Sequence, residues 1–446
     1  MRFSLSRAYR SRGEDTSLTS YEFAGIIIER RDVIRLHKQN ISIGTDDMKT
    51  EFNDGILTVC LGKRVDSANC GEVENEIFDA IGKYSPETAV LDCSELTYIA
   101  SAGLRVVLML AKSVKKLSAV NVSREVYEIF ELTGYTEMIE VKRVLRKMSV
   151  DGCRIVGRGF SSEVYRYDRE TVIKLYGQRV TLERIINETK SAKKSFVAGI
   201  PTAIPYDVVE CGDRYGTVFE LIDADTLSKN FMDHPEKFDE LMEKYVALLK
   251  HFHSTPAING DFPNIREKYH LWASGLKKYM TDDEVAVLDR LIDAVPTRQT
   301  MIHVDCHSGN IMVQNGNLMF VDMADVSIGH PLFDIGAEYF HYVIMRETSL
   351  GAKVIFGVEP EDAELPLRVW DRLVERYFDK CSDSQMADVR KMLKYFGCLR
   401  CLIMVAKHAH IEYDAAMELV NRQRRELMPF ADEAAELFSR ADEFFK

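Results

Sequence analysis

The alternation of apolar and polar positions changes character several times along the chain, and each change marks an element. Residues 1–47 carry no apolar period, and Arg2, Arg7, Arg10 and Arg12 stand among serines. That stretch reads as a poorly ordered extension ahead of a natural start at Met48. Beyond it, short apolar runs predict strands at ILTVCLG, ETAVLDCS and LSAVNVS. Val73, Ile77, Phe78 and Ile81 recur at helical spacing and predict a helix over CGEVENEIFDAIGKY. SAGLRVVLMLAKSVKK and REVYEIFELTGY predict two more helices, the second stopped by Gly134. Strands and helices that alternate over residues 48–145 predict an α/β domain, a sheet with packed helices.

A second pattern begins near Val150. GCRIVGRGFSSEVYRYD and RETVIKLY predict strands flanking a glycine turn, LERIINETKSAKKSFVAG a helix, and IPTAIPYDVVECGDRYGTVFELI more strand. Residues 150–224 therefore predict a β-rich lobe with a linker. Residues 225–446 read as helical, interrupted by two β-like pieces, NIMVQNG and NLMFVDM. The expected second fold is α+β and bilobal.

Composition narrows the class. A chain of 446 residues exceeds what one core supports, roughly 250–300 residues. The net charge of −12, from 58 basic and 70 acidic residues, lacks the footprint of a nucleic-acid binder. Nine cysteines without paired spacing and without a secretory signal point to a reducing cytoplasm. The lone pair Cys398 and Cys401 reads as a buried helical face. No apolar run approaches the roughly 20 residues that cross a bilayer, so no membrane role is expected.

Two places carry candidate chemistry. Ser101 precedes a long helix and is placed either to cap it or to receive a phosphate, which a helix N-terminus tolerates. A phosphate there would put a new charge under any partner docked on that helix. The second place is IHVDCHSGNIMVQNGNLMFVDMAD. IMV and LMFV can pair as a hairpin about Asn315-Gly316-Asn317, which returns Asp322 beside Asn310. One amide oxygen and one carboxylate suit Mg²⁺. Asp305 can then take the proton of an incoming hydroxyl. His303, Asp305, Asn310 and Asp322 in this order fit a phosphoryl-transfer template, in which positioning and charge neutralisation supply most of the acceleration. Upstream, Gly157 and Gly159 lie between two strands, where backbone N–H groups can cover phosphates, with Val164 against adenine. Lys174 alternates inward toward those phosphates and needs a partner, either Glu188 or, in reserve, Glu183. Glu220 and Ile222 close the β-rich lobe, where a linker can offer backbone groups to adenine. Trp272, Tyr339 and His341 either line a pocket or pack in the core.

Residues 48–145 resemble the STAS domain of bacterial anti-sigma factor antagonists, on LDCSELTYIASAGLRVV and NVSREVYEIFELTGY. The resemblance implies that Ser101 corresponds to the serine phosphorylated by an anti-sigma kinase, and that the partner is anti-sigma factor-like. Regulated members often carry Asp and two serines before Gly-Leu, where this chain has Ala100, Ser101 and Ala102. Residues 150–446 resemble the aminoglycoside phosphotransferases, a protein-kinase-like fold shared with choline and homoserine kinases. HVDCHSGN is similar to that family's HGDLHPGN, and VDMADVSIGHPLFDIG to its IDWEDAGIGDPAYDLA. This resemblance implies Asp305 as base, Asn310 and Asp322 as Mg²⁺ ligands, Lys174 on the α/β-phosphates of ATP, and His303 and Asp334 as structural support of the catalytic loop. Val304, Cys306, Ser308 and Met323 depart from the family's Gly, Leu, Pro and Trp. The expected function is ATP- and Mg²⁺-dependent phosphoryl transfer to a hydroxyl of a small molecule, aminoglycoside- or choline-like, with a regulatory STAS domain. The alternative is a nucleotide-sensing anti-sigma factor antagonist scaffold without turnover.

Overall fold

The first hairpin turns at Asp54 and Gly55, both at positive φ (50° and 80°), as a tight two-residue turn requires. It joins β1 (Lys49–Asn53) to β2 (Ile56–Cys60). The structure, a computed structural model, describes residues 48–159, 161–257, 260–347, 355–356, 364–407 and 412–446. The extension read over residues 1–47 lies outside them. Contacts divide the described chain between Arg146 and Lys147 into two units.

In the first unit, β2 continues into a parallel sheet with β3 (Thr88–Asp92), β4 (Lys116–Val122) and β5 (Glu140–Arg143), in the order β1-β2-β3-β4-β5. Leu57, Val59, Ala89, Leu91, Leu117 and Ala119 are buried at alternate positions. Helices α1 (Cys70–Tyr84), α2 (Ser101–Ser113) and α3 (Arg124–Leu132) supply the facing layer through Ile77, Leu110 and Phe130. Ser123 caps α3 by accepting the Val126 N–H, and Gly134, at φ 79°, turns the chain after it.

The capping expectation for Ser101 does not hold. The Ala100 N–H bonds to the Val65 carbonyl at 2.9 Å, and the Ala100 carbonyl accepts the first helical N–H, from Leu104, at 3.0 Å. Ala100 is thus the cap residue, and Ser101 occupies the first helical position, exposed and with no capping bond. Two residues later, Gly103 meets the segment before α1 so closely that an added Cβ would lie 2.8 Å from the Val65 carbonyl oxygen.

In the second unit, β6 (Arg146–Lys147), β7 (Arg154–Arg158), β8 (Ser162–Arg166), β9 (Thr171–Tyr176), β10 (Pro205–Cys211) and β11 (Arg214–Glu220) form one sheet in the order β6-β10-β11-β9-β8-β7. Helix α4 (Leu182–Val197), capped by Thr181, packs on β10 and β11. The helical remainder contains α5 (Phe238–Ser254), α6 (Ile265–Ser274) and α7 (Asp282–Ala294). The hairpin β12 (Ile311–Gln314) and β13 (Asn317–Phe320) follows, then α8 (Leu332–Tyr339), α9 (Leu365–Tyr377), α10 (Asp383–Lys407), α11 (Tyr413–Leu427) and α12 (Ala431–Ser439). The hairpin turns on Asn315 and Gly316, at φ 52° and 76°. Helices α8 and α10 approach at two glycines. A Cβ on Gly336 would lie 2.5 Å from the Phe396 ring, and one on Gly397 2.5 Å from the Tyr339 ring. Cys398 and Cys401 lie buried on α10. Among the described residues, no helix is long and apolar enough to cross a membrane.

Because Gly103 abuts backbone, Gly103→Ala forces either α2 or the Val65 segment to move. The expected loss is about 1–3 kcal/mol in the first unit. Urea denaturation followed through exchange of the β3 and α2 amides measures it, and the second unit's midpoint stays unchanged.

Candidate active site

The strand register of the second unit sets one row of side chains on one face. Gly157 lies opposite Val164, Val164 opposite Lys174, and Lys174 opposite Thr217. Thr217 is buried beneath α4, its hydroxyl 3.0 Å from that of Thr189. Lys174 faces the same helix, and its ammonium meets Glu188 Oε1 at 2.6 Å and Asp322 Oδ1 at 3.0 Å. Glu183 is exposed in the first turn of α4. Burial works against the Lys174 charge, but Asp322 and Glu188 outweigh it and hold the ammonium well above lysine's ordinary range. Glu188 is pushed up by burial, which Lys174 offsets only in part.

Gly157 and Gly159 flank the turn between β7 and β8, where the Gly159 N–H bonds to the Ser162 carbonyl at 2.8 Å. A Cβ at either position would meet only ordinary contacts, at 3.6 Å and 3.4 Å, so nothing inside the described chain requires glycine there. Phe160 lies outside the described residues. At the end of β11, the Glu220 N–H donates to the Ile204 carbonyl at 3.0 Å, and the Glu220 carboxylate accepts the Ile204 N–H at 3.1 Å. The Ile222 carbonyl accepts the Ala224 N–H at 3.0 Å. These bonds fasten the linker that follows the sheet.

The loop that carries Asp305 is built from backbone bonds. Asp334, buried in α8, accepts the His303 N–H at 2.7 Å and the Val304 N–H at 2.6 Å. Val304 sits at φ 73°, a left-handed conformation that glycine adopts freely and a β-branched residue adopts at about 1–3 kcal/mol. Asp334 holds its N–H, and the buried Arg400 donates to its carbonyl at 3.0 Å. His253 Nε2 lies 3.0 Å from Asp334 Oδ2 and its Nδ1 2.7 Å from the Tyr377 hydroxyl. The side chain of His303 does not reach the reacting region. It is fully buried, its ring 4.8 Å from that of Phe320 and 6.0 Å from that of Phe252.

The loop delivers Asp305 and Asn310 together. Asn310 Nδ2 donates to the Asp305 carbonyl at 2.9 Å and to its Oδ2 at 3.1 Å. The hairpin closes as its sequence predicts, and the Val321 N–H bonds to the Asn310 carbonyl at 2.9 Å. Asp322 is therefore the next residue beside Asn310, and its φ of 61° turns it out of the strand. Its side chain is 44% exposed, enough to offer a second carboxylate oxygen. The departures from the family motif all find partners. Cys306 is buried with its thiol 3.3 Å from Glu338 Oε1, and the Ser308 N–H donates to the Tyr342 hydroxyl at 2.9 Å, which proline could not do. Met323 is buried in the core.

Around this loop the sequence reading offered His341 and Trp272 only as pocket or core residues and did not single out Glu338, Asp325 or Arg400. His341 Nε2 lies 3.2 Å from Asp305 Oδ1, and its Nδ1 3.2 Å from Glu338 Oε1. His307 Nδ1 accepts the Gly309 N–H at 3.1 Å, which leaves the proton on Nε2, 3.8 Å from Asp305 Oδ2. Burial would push the Asp305 carboxyl up, but His307, His341 and Arg400 hold it well below the carboxylate range. Just beyond Asp322, Asp325 takes Lys407 at 2.6 Å and Lys268 at 3.3 Å, and Trp272 stacks beneath both ammonium groups. A charged or ionisable residue inside an otherwise apolar helix was the available signal: Arg400 in GCLRCLIMV, Glu338 and His341 in LFDIGAEYFHYVI.

The two folds are those of a kinase-like domain and a STAS domain. Residues 152–365 match the phosphotransferase enzyme family, and residues 47–148 match the STAS domain. The chain belongs to the STAS family through its first unit, and its second unit is similar to the phosphotransferase enzyme family. The putative anti-sigma factor antagonist BtrV of Bordetella bronchiseptica is 39% identical over 92 residues, covering 20% of this chain and 78% of that protein. Among solved structures, the streptomycin-ATP-APH(2")-IIa ternary complex aligns at 16% identity and a TM-score of 0.41, over 70% of this chain and 97% of that one. A choline/ethanolamine kinase family protein from Mesorhizobium loti aligns at 15% identity and a TM-score of 0.44, over 64% and 92%.

Asp334→Asn keeps the shape of the brace but leaves one acceptor oxygen for two loop N–H groups and removes the charge facing His253. The second unit is expected to lose about 2–3 kcal/mol, read from its urea midpoint.

Proposed function

We propose that the chain is an ATP- and Mg²⁺-dependent phosphotransferase that acts on a hydroxyl of a small molecule. The observation that carries this reading is Lys174 held between Glu188 and Asp322, 148 residues away in sequence, at 2.6 and 3.0 Å. A lysine needed only for packing requires one carboxylate. Here the second carboxylate stands next to Asn310 and is exposed on its far side. The pair supplies one amide oxygen and one carboxylate, a donor set that fits Mg²⁺ with water and phosphate oxygens completing its shell. Bound there, the ion would neutralise charge on the transferring phosphoryl group.

The chain's own residues then do three things. Lys174 is fixed in direction by Glu188 and binds phosphate oxygens beside Asp322. Gly157 and Gly159, which the chain's own packing does not require, let backbone approach the phosphates closely. Asp305, oriented by Asn310, accepts a hydrogen bond from the acceptor hydroxyl and takes its proton as the oxygen bonds to the γ-phosphorus and the bridge to ADP breaks. Because that transition state is loose, the main demand on Asp305 is orientation, and its strongly acidic carboxyl satisfies this. A scaffold that merely sensed nucleotide would have no use for a carboxylate so held.

The STAS unit supplies regulation or a docking surface for an anti-sigma factor-like protein. Ser101 stands exposed at the first position of α2, where a phosphate would sit against free N–H groups. The nine free cysteines fit a reducing cytoplasm.

Asp305→Asn tests the assignment. Release or transfer of γ-phosphate from Mg²⁺-ATP, measured with amino alcohols and aminoglycosides as acceptors, should fall at least about 10²-fold while nucleotide affinity stays within a factor of two. Unchanged turnover removes Asp305 as base.

A further inference from the structure

Helix α8 does not end as an ordinary helix. After Tyr339 it widens into a π-helical turn, Phe340–Ile344, and such turns recur at functional sites. The turn sends two adjacent side chains onto the catalytic loop. Tyr342 accepts the Ser308 N–H and donates to the Ser308 hydroxyl, both at 2.9 Å. His341 lies against Asp305, and its ring centroid is 5.0 Å from that of His307.

We infer that His341, held by Glu338, is a positioning residue that fixes the Asp305 carboxylate for the acceptor hydroxyl. The inference rests on the phosphotransferase reading and adds a residue to it. Its basis is geometric. Nε2 faces Asp305 Oδ1 at 3.2 Å, and Nδ1 faces Glu338 Oε1 at 3.2 Å. A ring pinned at both nitrogens by carboxylates is a double donor. Glu338 is fully buried, and its Oε1 also takes the Cys306 thiol at 3.3 Å, while its Oε2 has no partner among the described residues. A buried carboxylate so poorly hydrogen-bonded needs a counter-charge, and His341 supplies it.

The groups that face His341 are Glu338 from its own helix and Asp305 and His307 from the loop. The charge of Arg400, on α10, also acts on Asp305. Burial alone would lower His341, but Glu338 and Asp305 raise it to about 9. His307 is driven the other way by burial. Asp305 then has both oxygens occupied on the protein side: Oδ1 by His341, Oδ2 by Asn310. Its orientation is set before the acceptor arrives. Below about pH 9 His341 carries both protons, and above it one donor is lost and the carboxylate is released.

The test uses the full chain and water as acceptor, so it needs no knowledge of the substrate. His341→Gln is expected to lower kcat for Mg²⁺-ATP hydrolysis about tenfold, and His341→Ala up to about 10²-fold, with the KM for ATP unchanged. The wild-type rate should fall as pH rises through about 9, a fall absent from His341→Gln. Glu338→Gln, which does not touch Asp305, should move that fall to lower pH. Wild-type kcat in His341→Gln, or an unshifted alkaline fall in Glu338→Gln, overturns the inference. Imidazole nitrogen shifts of His341 in the wild-type chain give a second measurement that does not depend on the variants folding. An imidazolium at neutral pH that titrates near pH 9 supports the role, and a neutral ring overturns it. Absence of any γ-phosphate release by wild type would defeat the phosphotransferase reading, and the nitrogen shifts would still decide on the pair.

Discussion

One ammonium group ties the second unit's functional elements together. Lys174 comes from the sheet, Glu188 from α4 and Asp322 from the turn after the β12–β13 hairpin. Their charges do not balance, since two carboxylates face one cation. Glu188 is the buried partner, with its charge matched at 2.6 Å. Asp322 is the open one, and the excess negative charge therefore sits at its exposed edge. An arrangement built only for stability would pair the charges one to one, because each uncompensated charge near the interior is expensive. The uneven count fits the proposed role, in which the site receives a divalent ion and a polyphosphate.

Around that ammonium, the reacting groups are placed by backbone rather than by side-chain packing. Asp334 holds two successive N–H groups, Arg400 holds the intervening carbonyl, and the Asn310 carbonyl anchors the residue before Asp322. This is why Val304 tolerates a backbone conformation suited to glycine: both of its peptide groups are bonded from outside the loop. The same principle explains the two glycines at the α8–α10 crossing. They bring α10 close enough for a long arginine to reach the loop through the core. Stability and placement are thus served by the same contacts, and the strain is local to the loop that carries Asp305.

Much of this was legible in the sequence. Period-2 and period-3.6 runs locate the main strands and helices of the first unit and of the β-rich lobe, residues 225–446 read only as helical overall, and Asn315-Gly316 marks the hairpin that returns Asp322 to Asn310. Lys174 and Glu188 follow from alternation on a strand and from its need for a partner. What escaped is what depends on distant segments meeting. Ser101 looked like a cap because Ser precedes a helix, but the Ala100 N–H is captured by the Val65 carbonyl, and the helix starts one residue earlier than the pattern suggests. His303, read from its motif as a support of the loop, packs its ring in the core against Phe320. His341 read as either a pocket-lining or a core residue, and Arg400 carried no reading, because their neighbours in sequence are apolar. The contacts of His341 with Asp305 and of Arg400 with the Val304 carbonyl arise only where distant segments meet over the loop, and no local period reports such a meeting.

The central claim is that Lys174 and Asp322 receive a nucleotide together with a divalent ion. Calorimetric titration of ATP into the full-length chain, with and without Mg²⁺, tests it most directly. The account predicts saturable binding that Mg²⁺ strengthens at least about tenfold, and loss of that Mg²⁺ dependence in Asp322→Asn. Binding that ignores Mg²⁺, or no ATP binding by the wild-type chain, would contradict it.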